Sequence, residues 1–445
     1  MSKQTLLEEL SSRGLIAQMT NEEELAQHLE NQSVTLYCGF DPTADSLHIG
    51  SLVPLLTLKR FQSYGHKPLA LVGGATGLIG DPSFKAQERK LNDDTTVSNW
   101  VEKIKQQVSQ FIEFNDEAHS AQVVNNLDWT KDMDVLSFLR DVGKHFSINQ
   151  MIAKESVKQR IDREGEGISF TEFTYMILQS YDFQQLNKAY DCTLQIGGSD
   201  QWGNITGGTE LTRRMNGKKA FGLTLPLITK SDGTKFGKTE SGTIWLSANK
   251  TSPYAFYQFW INAADADVYN FLRYFTFLSV EEITSIEEQD KASQGKPQAQ
   301  AILAREVTKL VHGESGLDAA ERISNALFSG SFDSLEEGEF SQLAHDGLPS
   351  CHLPAAYSKT GSIDDMLKSI EGVPLTSLLV DIGVGFTSGK QIKEALSRNA
   401  LTVNGTAYGL EHNMKACEVF APKHAKFSAY FLVKVGKKKS CIITI

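Results

Sequence analysis

The chain has 445 residues, 40% of them hydrophobic and 22% charged, the balance of a soluble globular protein with room for two or three domains. No run of about 18 apolar residues occurs and Met1 to Gln18 is polar and charged, so neither a membrane span nor a secretory signal is expected, and the chain is expected in the cytoplasm. Five cysteines, Cys38, Cys192, Cys351, Cys417 and Cys441, stand at wide, irregular spacing, which argues against a disulfide framework or a zinc site and leaves reduced thiols.

Net charge is -10 but uneven. Thr376 to Ile445 holds ten Lys or Arg against four Asp or Glu, so that segment carries +6 and the rest -16. A basic terminal module on an acidic body concentrates RNA affinity in one region; for Lys437 to Lys439 alone, a solvated tail is the competing reading.

In chain order, Val34 to Cys38 is a short apolar run, followed by a loop and a periodic run with Leu52, Leu55 and Leu56 that ends at Tyr64-Gly65; Leu69 to Val72 is apolar again. Strand, loop, helix, strand is the unit of a parallel sheet, whose ligands sit beyond the strands' carboxyl ends. The loop offers a helix N-terminus, the His48 imidazole, the Thr43 hydroxyl and close approach at Gly50, which are parts that hold phosphate; a plain structural turn uses the same His-x-Gly. Gly73 to Gly80 has four glycines in eight residues and leads to Asp81. Either the backbone passes close to a ligand there or this is a solvent loop. Lys85 and Arg89 stand at i, i+4 on one helical face.

From Val97 to about Tyr190 the helical period predicts an insertion into the parallel sheet. Within it Ser169-Phe170-Thr171-Glu172 has the form of a capping box, and Tyr175, Gln179 and Asp182 follow at i, i+4, i+7. That polar stripe lines a cavity or a wet surface. Thr193 to Ile196 reads as a strand and Gly197 to Gln201 as the turn into a helix, with Ser199 or Asp200 as N-cap. Gly198 and Asp200 at a strand's carboxyl end suit ribose hydroxyls, and capping alone explains them equally well. After the turn Ser231-Asp232-Gly233, Lys235-Phe236-Gly237-Lys238-Thr239 sets two lysines three apart beside glycine, a clamp for polyphosphate. From Trp245 to about Phe328 the text is helical. Ser, Gly and acidic residues with Pro349 and Pro354 mark 329–374 as a linker. A helix with Lys390, Lys393 and Arg398 then precedes a strand ending in Asn404-Gly405.

The run Gly39 to His48, continuing into Ile49-Gly50-Ser51, resembles the HIGH signature of class I aminoacyl-tRNA synthetases in its tyrosyl-tRNA synthetase form, and Lys235 to Thr239 resembles the KMSKS loop. The resemblance to the bacterial-type tyrosyl enzymes covers essentially the whole chain. One departure is Ser51, which stands where the family has its second histidine, keeping a small hydrogen-bonding group without the imidazole. The resemblance implies an α/β fold: a Rossmann-like parallel-sheet catalytic domain over 1–230 with the helical insertion at about 97–190, the KMSKS-like loop and an all-helical domain that meets the anticodon stem over 231–328, the linker, and a small α+β RNA-binding C-terminal domain over 375–445, similar to a fold shared with a ribosomal small-subunit protein.

It further implies activation of L-tyrosine by ATP and transfer to tRNA(Tyr). Tyr37, Asp81, Tyr175, Gln179, Asp182 and Gln201 would then bind tyrosine, with Cys38, Gly39, Asp41, His48, Gly50, Ser51, Gly198, Asp200 and Lys238 around ATP and the adenylate. Thr43, His48, Lys85, Arg89, Lys235, Lys238 and Thr239 would stabilise the departing pyrophosphate, Mg²⁺ would travel with ATP and not in a dedicated protein site, and Lys390, Lys393 and Arg398 would contact RNA phosphates. The family is dimeric, so a homodimer is expected. Two alternatives are an RNA-binding protein that kept the frame and lost the activity, with Ser51 as a first sign, and the tryptophan enzyme, from which a Tyr37 and Asp182 pair suited to a phenol separates it.

Overall fold

The computed structural model describes residues 4–81, 93–115, 118–154, 157–158, 161, 167–234, 236–239, 242–293, 295, 297–436 and 439–445. The chain divides into two compact units, Met1–Ser247 with Ala263–Leu303, and Ala248–Asn262 with Ala304–Ile445.

The first unit is built on a six-stranded sheet of β1 (Gln18–Met19), β2 (Thr35–Phe40), β3 (Lys67–Val72), β4 (Gln122–Asn125), β5 (Cys192–Gly198) and β6 (Phe221–Leu225), in the order β1-β6-β5-β2-β3-β4. Strands β2 to β6 are parallel, and β1 pairs antiparallel with β6. Leu36, Ala70, Leu194 and Leu223 have no solvent exposure. Covered on both faces, such strands are written as continuous apolar runs, and each buried leucine contributes roughly 1.5–3 kcal/mol. The helix Leu52–Ser63 joins β2 to β3 and buries Leu52, Val53, Leu55, Leu56, Leu58 and Phe61. Because β3 lies on one side of β2 and β5 on the other, the strand order reverses between β2 and β5 and opens a crevice at their carboxyl ends.

The stretch 97–190 is not wholly helical as expected. It contributes β4, paired with β3 from Leu69↔Gln122 to Val72↔Asn125. Four residues at a sheet edge, with only Val124 buried, carry too little pattern to be read. A two-stranded ribbon follows, β7 (Lys238–Thr239) and β8 (Gly242–Thr243).

The second unit holds a five-stranded sheet of β9 (Ser350–His352), β10 (Leu401–Val403), β11 (Thr406–Tyr408), β12 (Tyr430–Val435) and β13 (Lys439–Thr444), ordered β11-β10-β12-β13-β9. All pairs are antiparallel except β13 with β9. Asn404 and Gly405, at φ 48° and 86°, make the β10–β11 turn, as an Asn-Gly hairpin requires. Phe431, Val433, Cys441 and Ile443 pack on one face of the sheet with Leu378, Ile392 and Leu396, while Leu432 and Ile442 pack on the other with Phe332, Phe340 and Leu343.

This corrects the expectation of a linker at 329–374. The segment carries the helices Glu337–Gln342, Leu353–Tyr357 and Ile363–Ser369 as well as β9. Leu353, Met366 and Ile370 are buried in the core on one face of the sheet, and Phe332, Phe340 and Leu343 in the core on the other. Its apolar residues are sparse but nearly all turned inward, so composition understates its order. Among the described residues no helix is long and apolar enough to cross a membrane.

Candidate active site

A cleft of about 190 Å³ opens where the order of β2 and β5 reverses. Tyr37, Asp81, Tyr175, Gln179, Asp182 and Gln201 all line it, as do Cys38, Gly39, Asp41 and Gly198. Tyr175, Gln179 and Asp182 come from the helix Phe170–Tyr190, whose N-cap Ser169 accepts from the Glu172 N–H.

The cleft's polar groups form a chain. Asn126 Nδ2 donates to one Asp182 oxygen at 3.0 Å and Trp129 Nε1 to the other at 2.8 Å. Asn126 Nδ2 also donates to Thr76 Oγ1 at 2.9 Å, Thr76 Oγ1 donates to Asp41 at 2.6 Å, and the Tyr175 hydroxyl donates to the second Asp41 oxygen at 2.6 Å. Gln201 Nε2 donates to Asp81 at 2.9 Å. Gly73 makes room for this chain: a Cβ there would lie 2.0 Å from Asp41 Oδ1 and 2.3 Å from Thr76 Oγ1.

Among the described residues, three buried polar atoms of the cleft have no hydrogen-bond partner: the Tyr37 hydroxyl, Gln179 Oε1 and Gln195 Oε1. Such an atom costs about 1–3 kcal/mol. Three in one crevice give it capacity to hydrogen-bond a polar group. Burial raises the Asp182 carboxyl from 3.8 to about 7 against the two donors that favour its charge, with Asp41 adding repulsion. Burial, and then the Asp182 charge, hold the Tyr37 hydroxyl well above its ordinary range, so it stays protonated.

Thr76, Asn126, Trp129 and Gln195 were not read from the sequence as site residues. Gln195 had a signal, a polar residue inside the buried run Leu194 to Ile196. Asn126 follows β4, which was itself unread, and nothing local marks Trp129.

The two signature motifs meet. His48 is exposed at the start of the turn Ile49–Ser51, its Nδ1 accepting from Gly50 N–H at 3.0 Å. Ile49 N–H donates to the Ile244 carbonyl, Ile244 N–H to the Gly237 carbonyl, and His48 bridges Trp245. Thr43 is exposed, and Ser51 precedes the helix Leu52–Ser63 without a side-chain cap bond. The helix Trp202–Asn216 has Gln201 at its N-cap, without a side-chain cap bond, after the short turn Ser199–Gln201; neither Ser199 nor Asp200 is its cap, because that extra turn moves the helix start along the chain. Lys85, Arg89 and Lys235 lie outside the described residues, and Lys238 and Thr239 are described as backbone in β7 only. Lys390 and Lys393 are exposed on the helix Gly389–Ser397, whereas Arg398 is its C-cap and pairs with Glu394 at 2.8 Å.

Residues 29–329 match the family model of class I tRNA synthetases (W and Y), and the chain belongs to that family. Within the class, it is 64% identical over 433 residues to the tyrosine-tRNA ligase of Aliivibrio fischeri, with 97% of each chain covered. It is 56% identical over 443 residues to the tyrosine-tRNA ligase of Pectobacterium atrosepticum, covering 100% of this chain and 99% of the relative. Among solved structures, a C-terminally truncated mitochondrial tyrosyl-tRNA synthetase from Aspergillus nidulans has a TM-score of 0.66 at 30% identity, covering 73% of this chain and 95% of that one.

Proposed function

We propose that this chain is a tyrosine-tRNA ligase whose cleft takes the substrate side chain between Tyr37 and Asp182. The observation that carries this reading is the buried, unpartnered Tyr37 hydroxyl in the same cleft as an Asp182 oriented by Asn126 and Trp129. A para-hydroxyl accepts from Tyr37 and donates to Asp182, satisfying both. Phenylalanine leaves the Tyr37 hydroxyl unpaired, at about 1–3 kcal/mol, and gives Asp182 no donor beyond Asn126 and Trp129.

With the ring so held, Asp81 and Gln201 receive the ammonium end. The substrate carboxylate oxygen attacks the α-phosphorus of ATP, the bond to the bridging oxygen breaks, and pyrophosphate leaves with that electron pair. A terminal ribose hydroxyl of tRNA(Tyr) then attacks the acyl carbon, releasing AMP. No protein nucleophile is required, so the chain contributes positioning and charge stabilisation, for which His48, Thr43, Lys85, Arg89, Lys235, Lys238 and Thr239 are the proposed groups. Mg²⁺ comes with ATP as part of the substrate. Exposed Lys390 and Lys393 are proposed to meet RNA phosphates. A homodimer is supported by Val135, Leu136, Leu139 and Ile148, apolar side chains each more than half exposed within 14 residues of chain.

Tyrosine-dependent ATP-pyrophosphate exchange tests the reading. Tyrosine alone among the aromatic amino acids is expected to support exchange; equal exchange with tryptophan, or none with any, overturns it.

A further inference from the structure

The loop that carries the second signature is fastened to one face of a single helix through Ser231 and Phe236. Val268–Phe275 begins at Asp267, whose carboxylate accepts from the Ser231 N–H at 2.9 Å at the base of the signature loop. Four and eight residues on, Phe271 and Phe275 hold the Phe236 ring, at 5.1 Å with a 58° tilt and at 5.2 Å nearly parallel. Asp267, Phe271 and Phe275 share a face at i, i+4, i+8, so the loop is fastened twice to one rod. Both phenylalanines are buried. Aromatic pairs of this kind add about 0.5–1.5 kcal/mol beyond the area they bury.

The same loop presses on the first signature. Gly237 is buried at φ 78°, and a Cβ there would lie 2.4 Å from Ile49 Cγ2. The rod is held as well: the Thr276 carbonyl at its end accepts from Arg60 Nη2 at 2.6 Å, and Arg60 belongs to the helix that starts from the first signature. Phe236 stands in sequence between Lys235 and Lys238, just before the ribbon β7–β8.

From this geometry we infer that Phe236 is a positioning residue for adenylate formation, its ring seated on Phe271 and Phe275 to fix how far the flanking lysines reach toward the pyrophosphate. This rests on the proposed role of those lysines. A positioning group acts only in the activated complex, so its loss lowers the rate of the chemical step and spares tyrosine binding.

Single-turnover formation of tyrosyl-adenylate, with tyrosine binding measured separately, is the test. F236A is expected to slow the step about 100-fold while the tyrosine Kd stays within about twofold. F236L, which keeps an apolar side chain of similar reach, is expected to recover most of the rate and guards against a folding defect. In a K238A background, F236A is expected to cause little further loss, because the ring acts through the lysine. Multiplying effects of F236A and K238A, or a tyrosine Kd that rises in step with the rate loss, overturn the inference while leaving the lysine assignment intact. A K238A enzyme that forms adenylate normally sinks the lysine assignment, and this inference with it.

Discussion

The two sheets spend burial differently. Around the carboxyl ends of β2 and β5, Tyr37, Asp182, Gln195 and Asn126 are buried, and two of them hold polar atoms that nothing among the described residues satisfies. In the second unit, among the described residues beyond Glu339, no polar or charged side chain is buried, and both faces of the five-stranded sheet are apolar. The first arrangement carries a stability cost that the proposed substrate would offset; the second contributes stability and leaves its polar chemistry outside. Substitutions in the two regions should therefore separate activity from stability.

The largest effect is expected from Asp182→Ala, which removes the proposed proton acceptor and should lower kcat/KM for tyrosine in pyrophosphate exchange by about 1,000-fold or more, equivalent to about 4 kcal/mol. Near-normal exchange in that variant would erase the functional side of the contrast. Phe431→Ala, at a position without solvent exposure, should cost about 3–5 kcal/mol in denaturant unfolding while the initial exchange rate at 25 °C is kept. A matching loss of exchange would show that the two regions are not separable.

Acidity probes the cleft without mutation. With the Asp182 carboxyl raised from 3.8 to about 7, protonation below neutrality removes the acceptor for the substrate hydroxyl. Tyrosine affinity should fall by up to about tenfold per pH unit below 7, and equilibrium dialysis across pH 5.5 to 8, roughly the window that pKa defines, would read it. An affinity flat across that window would count against Asp182 as acceptor. The same raised value means that the unfolded chain releases this proton first, so its contribution to stability declines as pH rises from about 4 to about 7 and then levels off. Smallest is Tyr37→Phe, expected to reduce the preference for tyrosine over phenylalanine about tenfold and to raise the stability of the unliganded protein by about 1 kcal/mol, since an unsatisfied hydroxyl is gone. A destabilised variant would mean that the hydroxyl has a partner after all.

What could be read from sequence followed locality. Tyr175, Gln179 and Asp182 share one helix, so spacing alone brought them to one face, and all three line the cleft. The strands β2 and β3 were legible because burial on both faces leaves unbroken apolar text. Asn126 reaches Asp182 across 56 residues of chain and Trp129 across 53, contacts set by where β4 docks and by nothing in their own neighbourhood. The segment 329–374 misled for the opposite reason. Its composition is that of a spacer, yet Phe332, Phe340, Leu353 and Met366 each find a buried seat.

The antiparallel pairing of β1 with β6 has a consequence for biosynthesis. Gln18 waits for Thr224, 206 residues later in translation, before its edge of the sheet can close. At about 5–20 residues per second, that is roughly 10–40 s during which the nascent N-terminal segment has no sheet partner, and the crevice cannot exist until β5 and β6 have cleared the ribosome.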